Sequence, residues 1–98
     1  MRKGYTMTYL YIMHDQKQLN EAIILEHVHH LKQLKKEERL VLSGPFLDHP
    51  GGIVVFHATS KEEALVIAKQ DPFIRDRYKS FDLYTLDVAD ERNDFGLR

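Results

Sequence analysis

The chain contains no cysteine. This absence excludes disulfide bonds, zinc sites built from thiolates, and catalysis by a cysteine nucleophile. The sequence also lacks a basic block, because 14 lysine and arginine residues stand against 15 aspartate and glutamate residues. Such a balance indicates no basic surface patch that would bind nucleic acid or an anionic membrane. We therefore expect no nucleic-acid partner and no membrane partner.

Long apolar runs, internal repeats and low-complexity segments are also missing. Met1-Arg2-Lys3 leads into sequence interrupted by polar residues, so we expect no signal peptide, no membrane span and a cytoplasmic location. The 98 residues are 43% hydrophobic and 30% charged, as in an ordinary globular domain. We expect a single domain over residues 1–98, with a core at about 6–88 and a polar tail at 89–98.

Short runs rich in β-branched and aromatic residues predict four strands. They lie at residues 6–13, 39–43, 53–58 and 81–88. Apolar residues at spacings of three and four predict a first long helix at about 17–36, with Asp15 able to cap its start. A second helix follows the capping box Ser60-Lys61-Glu62-Glu63. The resulting β-α-β-β-α-β order is the ferredoxin-like α+β arrangement.

The first predicted strand carries large apolar side chains on both faces. Tyr9, Tyr11 and Met13 share one face, while Leu10 and Ile12 share the other. A ferredoxin-like sheet has helices on one face only, so its second face needs a cover. The most economical cover is the same face of a second copy. We therefore expect a homodimer formed through the open sheet face.

The segment 26–31 holds three of the six histidines. The spacing His27-x-x-His30 could bring two ring nitrogens to one ion, but no third ligand follows at a fixed spacing, so we expect no metal site. His27 lies on the apolar stripe of its helix, between Ile23 and Leu31. Its ring is either packed in the core or acts as a general acid or base, since imidazole exchanges protons near neutral pH. Position alone favours the packed interpretation.

A general base of this kind gains from a carboxylate that fixes its tautomer, and Asp71 is the candidate. Asp71 before Pro72 is also a good N-cap for a short helical turn over residues 73–78, which explains both residues without any catalytic role. The two interpretations can hold together because a carboxylate has two oxygens.

The ordered set of these elements resembles the YciI-like (YCII-related) family. The similarity runs from about residue 7 to residue 88 and is carried by His27, Leu31, Leu34, Arg39-Leu40, Ser43-Gly44-Pro45, Gly51-Gly52-Ile53 and Asp71-Pro72-Phe73. The resemblance implies a dimeric α+β barrel, in which ferredoxin-like units pair through their sheets, related to muconolactone isomerase.

For chemistry, the resemblance implies a His-Asp pair in a cleft beside the dimer interface, without a metal or an organic cofactor. By position the pair would be His27 and Asp71, and the resemblance favours a functional role for His27. One characterised branch of the family eliminates HCl from a chlorinated hydroxyquinol. The remaining candidates are substrate-binding residues. For the aromatic Tyr9, Tyr11 and Phe73, packing in the core or the dimer interface is the favoured interpretation, whereas Ser43 could equally be only a polar strand end.

The sequence departs from the family pattern at two places. Glu38 stands where the family commonly has a glycine, so we expect the first helix to end without a left-handed residue. The loop between the second and third strands is short, which reshapes one wall of the cleft. The family resemblance therefore does not identify the substrate.

Three functions fit these observations. The first is a cofactor-free lyase or isomerase that acts on a small aromatic or lactone substrate through His27 and Asp71. A dehydrochlorinase-like lyase is one form of this function. The second is a non-catalytic module for small-ligand binding or dimerisation. The third is a cofactor-free monooxygenase of the related barrels. The fold does not decide among them.

Overall fold

The computed structural model describes residues 7–97. Its elements are β1 (Met7–Asp15), α1 (Glu21–Lys36), β2 (Leu40–Pro45), β3 (Gly52–Ala58), α2 (Lys61–Gln70), α3 (Pro72–Arg75), β4 (Lys79–Leu86) and a 3₁₀ segment at Glu91–Gly96 within the predicted tail. One antiparallel sheet has the strand order β2-β3-β1-β4. The predicted ferredoxin-like α+β fold is confirmed. The predicted strand start at residue 6 and the end of the tail at residue 98 lie outside the described residues.

The inner face of the sheet carries the core, because alternate side chains of a strand point to the same side. On β1 these are Tyr9, Tyr11 and Met13, each at most 4% exposed. The three helices pack on this face. The other core side chains come from α1, β3, α2 and α3: Ile23, Leu34, Val54, Phe56, Ala58, Ala64, Ile67, Ala68 and Phe73.

The outer face of the sheet is also apolar. The strand register places Leu10 opposite Val55 on one side and opposite Tyr84 on the other. Tyr84 and Leu42 on this face are 51% and 54% exposed. Within residues 7–97, no helix is both long and apolar enough to pass through a lipid bilayer.

Helix α1 begins later than predicted. Its N-cap is Asn20, whose side-chain oxygen accepts a hydrogen bond from the amide of Ile23 at 3.0 Å. The predicted capping role of Asp15 is wrong because β1 continues to that residue, where it pairs with Lys79 of β4. The pairing holds Asp15 in extended conformation, and the chain turns only after it.

Helix α1 ends with a left-handed residue, contrary to the prediction. Glu38 has φ = 62°. Its amide donates to the carbonyl of Lys35 at 3.0 Å, and the amide of Arg39 donates to the carbonyl of Leu34 at 2.9 Å. These two bonds form a Schellman motif, which satisfies carbonyls at the helix end. They stabilise the motif enough to hold a side-chain-bearing residue in a conformation that costs about 1 kcal/mol.

Strand β2 continues through Gly44-Pro45, which the sequence predicts to be its end. The difference arises because β2 is an edge strand, where a proline without an amide hydrogen is tolerated. The following turn depends on Gly51, which has φ = 102° and whose Cβ, if present, would collide with the carbonyl oxygen of Met13.

One of the two hydrogen bonds of the predicted α2 capping box is present. The hydroxyl of Ser60 accepts from the amide of Glu63 at 3.1 Å, as predicted. The Glu63 carboxylate instead accepts from the amide of Thr59 at 2.9 Å and from Arg39 at 2.8 Å. The Arg39 hydrogen bond is the largest of the effects that hold the pKa of Glu63 at about 2.

Candidate active site

A cleft of about 410 Å³ lies between α1 and the adjoining ends of β1, β2 and β3. Most of its wall is apolar, and its polar side chains are His27, Ser43 and Lys79. The wall is completed by Met13, Leu19, Ile24, Val28, Leu31, Gly44, Pro45, Gly52, Ile53 and Phe73. A small apolar cavity with a few polar groups is the usual form of a small-molecule site.

The side chains of His27 and Asp71 meet at one side of this cleft. Nδ1 of His27 lies 2.8 Å from Oδ1 and 3.0 Å from Oδ2 of Asp71. Helix α1 carries the imidazole, and the start of α3 carries the carboxylate. Asp71 has no exposed side-chain surface, whereas the His27 side chain retains 12%. The structure thus brings together two residues that are 44 positions apart.

The carboxylate of Asp71 has two further donors. The amide of Phe73 donates to Oδ1 at 3.0 Å, and the hydroxyl of Tyr11 donates to Oδ2 at 2.7 Å. Asp71 is therefore both the N-cap of α3 and the partner of His27. Burial by itself would raise the pKa of Asp71, but the hydrogen bonds from His27, Tyr11 and Phe73 together lower it.

An ionised Asp71 decides the tautomer of His27. Since the carboxylate only accepts, Nδ1 carries the hydrogen, and Nε2 of the neutral ring holds a lone pair. Within residues 7–97, Nε2 makes no hydrogen bond, and the ring borders the cleft. The imidazole stacks on Phe73, with ring centres 3.9 Å apart and planes 12° from parallel. This arrangement holds a proton acceptor in a fixed orientation at the wall of the cleft.

Tyr11 supports Asp71 from within the core. Burial, followed by the charge of Asp71 and the hydrogen bond to it, raises the pKa of Tyr11 well above its ordinary value. The phenol therefore stays protonated and donates. Tyr11 and Tyr9, both expected as substrate contacts, do not line the cleft, because inner-face side chains of the central strand β1 lie beneath the helices. Tyr9 packs against Phe56.

The other expected contacts, Ser43 and Phe73, do line the cleft together with His27. Sequence reasoning missed Lys79, which also borders it. Lys79 is 9% exposed, and its ammonium lies 2.8 Å from Oδ1 of Asp15 and 5.1 Å from the centre of the Phe73 ring. The hydrogen bond from Lys79 lowers the pKa of Asp15. Only the pairing of β1 with β4 brings these residues together, so no local pattern indicated the contact.

His27 and His30 border different cavities. His30 lines a separate shallow groove, where Glu26, Gln33 and Arg75 are also found. Nε2 of His30 is buried without a hydrogen-bond partner among the described residues, and burial lowers the pKa of this imidazole.

Comparison with known proteins identifies the family. The family model described as the YCII-related domain matches residues 5–86. The chain belongs to the YCII-related family. A curated relative, the uncharacterized protein YjpA of Bacillus subtilis (strain 168), is 37% identical over 67 residues, which are 68% of this chain and 79% of the relative. The resemblance of the sequence to this family is confirmed.

A solved structure of similar fold is 5-chloro-2-hydroxyhydroquinone dehydrochlorinase (TftG) from Burkholderia phenoliruptrix AC1100, in complex with 2,5-dihydroxybenzoquinone. Its TM-score is 0.64, and the match covers 83% of this chain and 94% of that one. At 18% sequence identity, this similarity establishes the fold that the YCII-related chain shares with TftG.

Proposed function

We propose that this protein is a cofactor-independent enzyme of the lyase or isomerase type, in which His27 acts as a general base on a small organic substrate. The observation that carries the proposal is the buried, ionised Asp71 hydrogen-bonded to Nδ1 of an imidazole that borders an apolar cleft. A histidine that served only to fill the core would not need a cavity beside its ring. The relationship to a fold that includes a dehydrochlorinase supports the same class of reaction.

In the proposed reaction, Nε2 of His27 takes a proton from a hydroxyl or an activated carbon of the substrate. The positive charge that forms on the imidazole is stabilised by the Asp71 carboxylate 2.8 Å away. In an isomerisation, the proton returns to a different substrate atom. In an elimination, the electrons of the broken bond to hydrogen form a new π bond, a chloride leaves with its own bonding pair, and the proton passes to solvent.

A direct test is to screen the purified protein with chlorinated hydroxyquinols, phenols and lactones, following chloride release and the absorbance of the product. We expect turnover of at least one compound, and a loss of about 10²–10⁴-fold in His27→Ala, the usual contribution of a general base. His29→Ala is the matched control, because that exposed histidine lies on the same helix outside the cleft.

Turnover that survives in His27→Ala would remove His27 from the mechanism. Saturable binding without turnover across the whole panel would favour the alternative of a ligand-binding module. Turnover that requires molecular oxygen would favour the third alternative, a cofactor-free monooxygenase.

The apolar outer sheet face supports a homodimer as the working form of the enzyme. Leu10, Ile12 and Val55 form its centre, and the half-exposed Leu42 and Tyr84 extend it on either side. Two such faces packed together would cover this surface with a single self-complementary contact. We therefore expect the molar mass in solution, measured by light scattering at micromolar concentration, to be that of two chains.

Tyr84→Asp should convert the dimer to a monomer, because it places a charge in the packed face. Val66→Asp is the control, since Val66 is similarly exposed but lies on α2, away from the sheet. A monomeric wild-type protein would contradict the proposed dimer.

A further inference from the structure

Lys79 has no part in the proton transfer proposed above, yet it is one of the few polar residues of the cleft. Its side chain is largely withdrawn from water, with 9% of its surface exposed. Of its three N–H donors, one has a hydrogen-bond partner within residues 7–97, the Asp15 carboxylate. An ammonium that is both buried and incompletely hydrogen-bonded costs free energy.

The ion pair with Asp15 does not account for that cost. The Asp15 side chain is 51% exposed, so a lysine that served only to neutralise it could remain at the surface with its partner. An ion pair with one half-exposed member also contributes little to stability. The position of the ammonium against the Phe73 ring, at the wall of the cleft, therefore points to a use of its remaining donors inside the cavity.

The charged groups around the cleft differ in whether they are free to meet a ligand: the basic side chains border the cleft, whereas the nearby carboxylates already have partners. Its side chains include one amine, Lys79, and one imidazole that gains positive charge when it takes a proton, His27. The two carboxylates nearby are each already engaged, Asp71 beneath His27 and Asp15 beside Lys79. Both Lys79 and His27 contact the same Phe73 ring, so a small molecule in the cleft can reach both.

We propose that Lys79 binds a negatively charged oxygen of the substrate, which makes the substrate class a small organic anion with an apolar body. The apolar wall formed by Ile24, Val28 and Leu31 holds the body, the ammonium holds the oxyanion, and Nε2 of His27 acts on the molecule. The inference rests on the proposed function for the identity of the cleft, but its test measures binding alone and does not require turnover.

The test uses two pairs of probes, each an anion and a neutral analogue of similar shape. 2,5-Dihydroxybenzoquinone, which ionises readily, is compared with 2,5-dimethoxybenzoquinone, and benzoate is compared with benzamide. Dissociation constants are measured by calorimetry or by NMR titration. We expect wild-type protein to prefer the anion of at least one pair, and Lys79→Met to weaken that anion by about 10- to 100-fold, as for loss of a hydrogen bond to a charged group. The neutral analogue should bind Lys79→Met as it binds wild type.

Three further variants separate binding from structure. Lys69→Met removes the same charge from an exposed site on α2 and should leave the anion unaffected. Lys79→Arg should retain part of the preference for the anion. Asp15→Asn should strengthen anion binding about threefold, because it removes the carboxylate that competes for the ammonium. A purely structural Lys79–Asp15 pair predicts no such gain.

The inference is overturned if wild-type protein prefers neither anion, if Lys79→Met leaves the preferred anion unaffected, or if it weakens the neutral analogue equally. His27→Ala separates this inference from the proposed function. Anion binding that depends on Lys79 and survives in His27→Ala supports the inference even when no compound is turned over. If turnover depends on His27 but anion binding is the same with and without Lys79, the proposed function is supported and this inference is rejected.

Discussion

Within residues 7–97, two histidine–aspartate pairs have the same 2.8 Å contact and lie on opposite faces of one sheet. His27–Asp71 lies on the inner face, with side chains 12% and 0% exposed. His14–Asp82 lies on the outer face, with side chains 45% and 57% exposed. The contact distance is therefore uninformative about the role of either pair. What differs is the surroundings of each carboxylate.

The inner carboxylate has no exposed surface. It accepts hydrogen bonds from three fixed donors, on His27, Tyr11 and Phe73. In a single chain the outer carboxylate is 57% exposed, and an ion pair so exposed adds little free energy. The same two residue types thus form an oriented acid–base group in one place and a surface contact in the other. This contrast can be tested with matched substitutions.

The largest expected difference comes from deleting each carboxylate. Asp71→Ala should reduce the free energy of unfolding by about 3–5 kcal/mol, because it removes one member of a buried pair and leaves the Tyr11 hydroxyl unpaired. Asp82→Ala should reduce it by less than about 1 kcal/mol. Urea denaturation monitored by circular dichroism provides both values. Equal losses in the two variants would contradict the contrast.

A smaller difference is expected from removing one hydroxyl on each face. Tyr11→Phe should reduce the free energy of unfolding by about 1.5–3 kcal/mol, since it removes a hydrogen bond to a buried charge. It should also lower any turnover, because Asp71 then holds His27 less firmly. Tyr84→Phe keeps the ring that the proposed dimer packs on the outer face, so it should change the free energy of unfolding by less than about 0.5 kcal/mol. Tyr11→Phe without effect on either quantity would show that the hydroxyl does not support Asp71.

The smallest expected difference is in the pH dependence of stability. Because the folded-state pKa of Asp71 is lowered, the unfolded chain binds a proton more readily in acid. The contribution of this carboxylate is therefore fully present above its unfolded pKa of about 3.9 and is lost as pH falls through the folded-state pKa. The destabilisation caused by Asp71→Asn, relative to wild type, should be constant above about pH 5 and shrink as pH falls below about 4.

Asp82→Asn is the control for this pH series, and its small effect should not vary in the same way. Glu63, whose pKa of about 2 falls in the same range, titrates in wild type and in both variants and so cancels from the differences. An Asp71→Asn penalty that stays constant down to the lowest pH would show that Asp71 stabilises the fold through its shape and not its charge.

The sequence by itself determined the order of the elements and the orientation of the key imidazole. The β-α-β-β-α-β order follows from periodicity, and the apolar stripe between Ile23 and Leu31 turns His27 inward. The local Asp71-Pro72 pattern predicts the N-cap that the structure contains. These inferences succeeded because each depends on residues within a few positions of one another, where helix and strand geometry is fixed by the backbone.

Only the tertiary structure decided which residues, distant in sequence, contact each other at the site. Tyr11 reaches Asp71 across 60 positions, and Lys79 reaches Asp15 across 64, through the packing of α3 on the sheet and the pairing of β1 with β4. The physical reason is that periodicity tells which face of its own element a side chain occupies, whereas strand register and helix packing decide what it meets there.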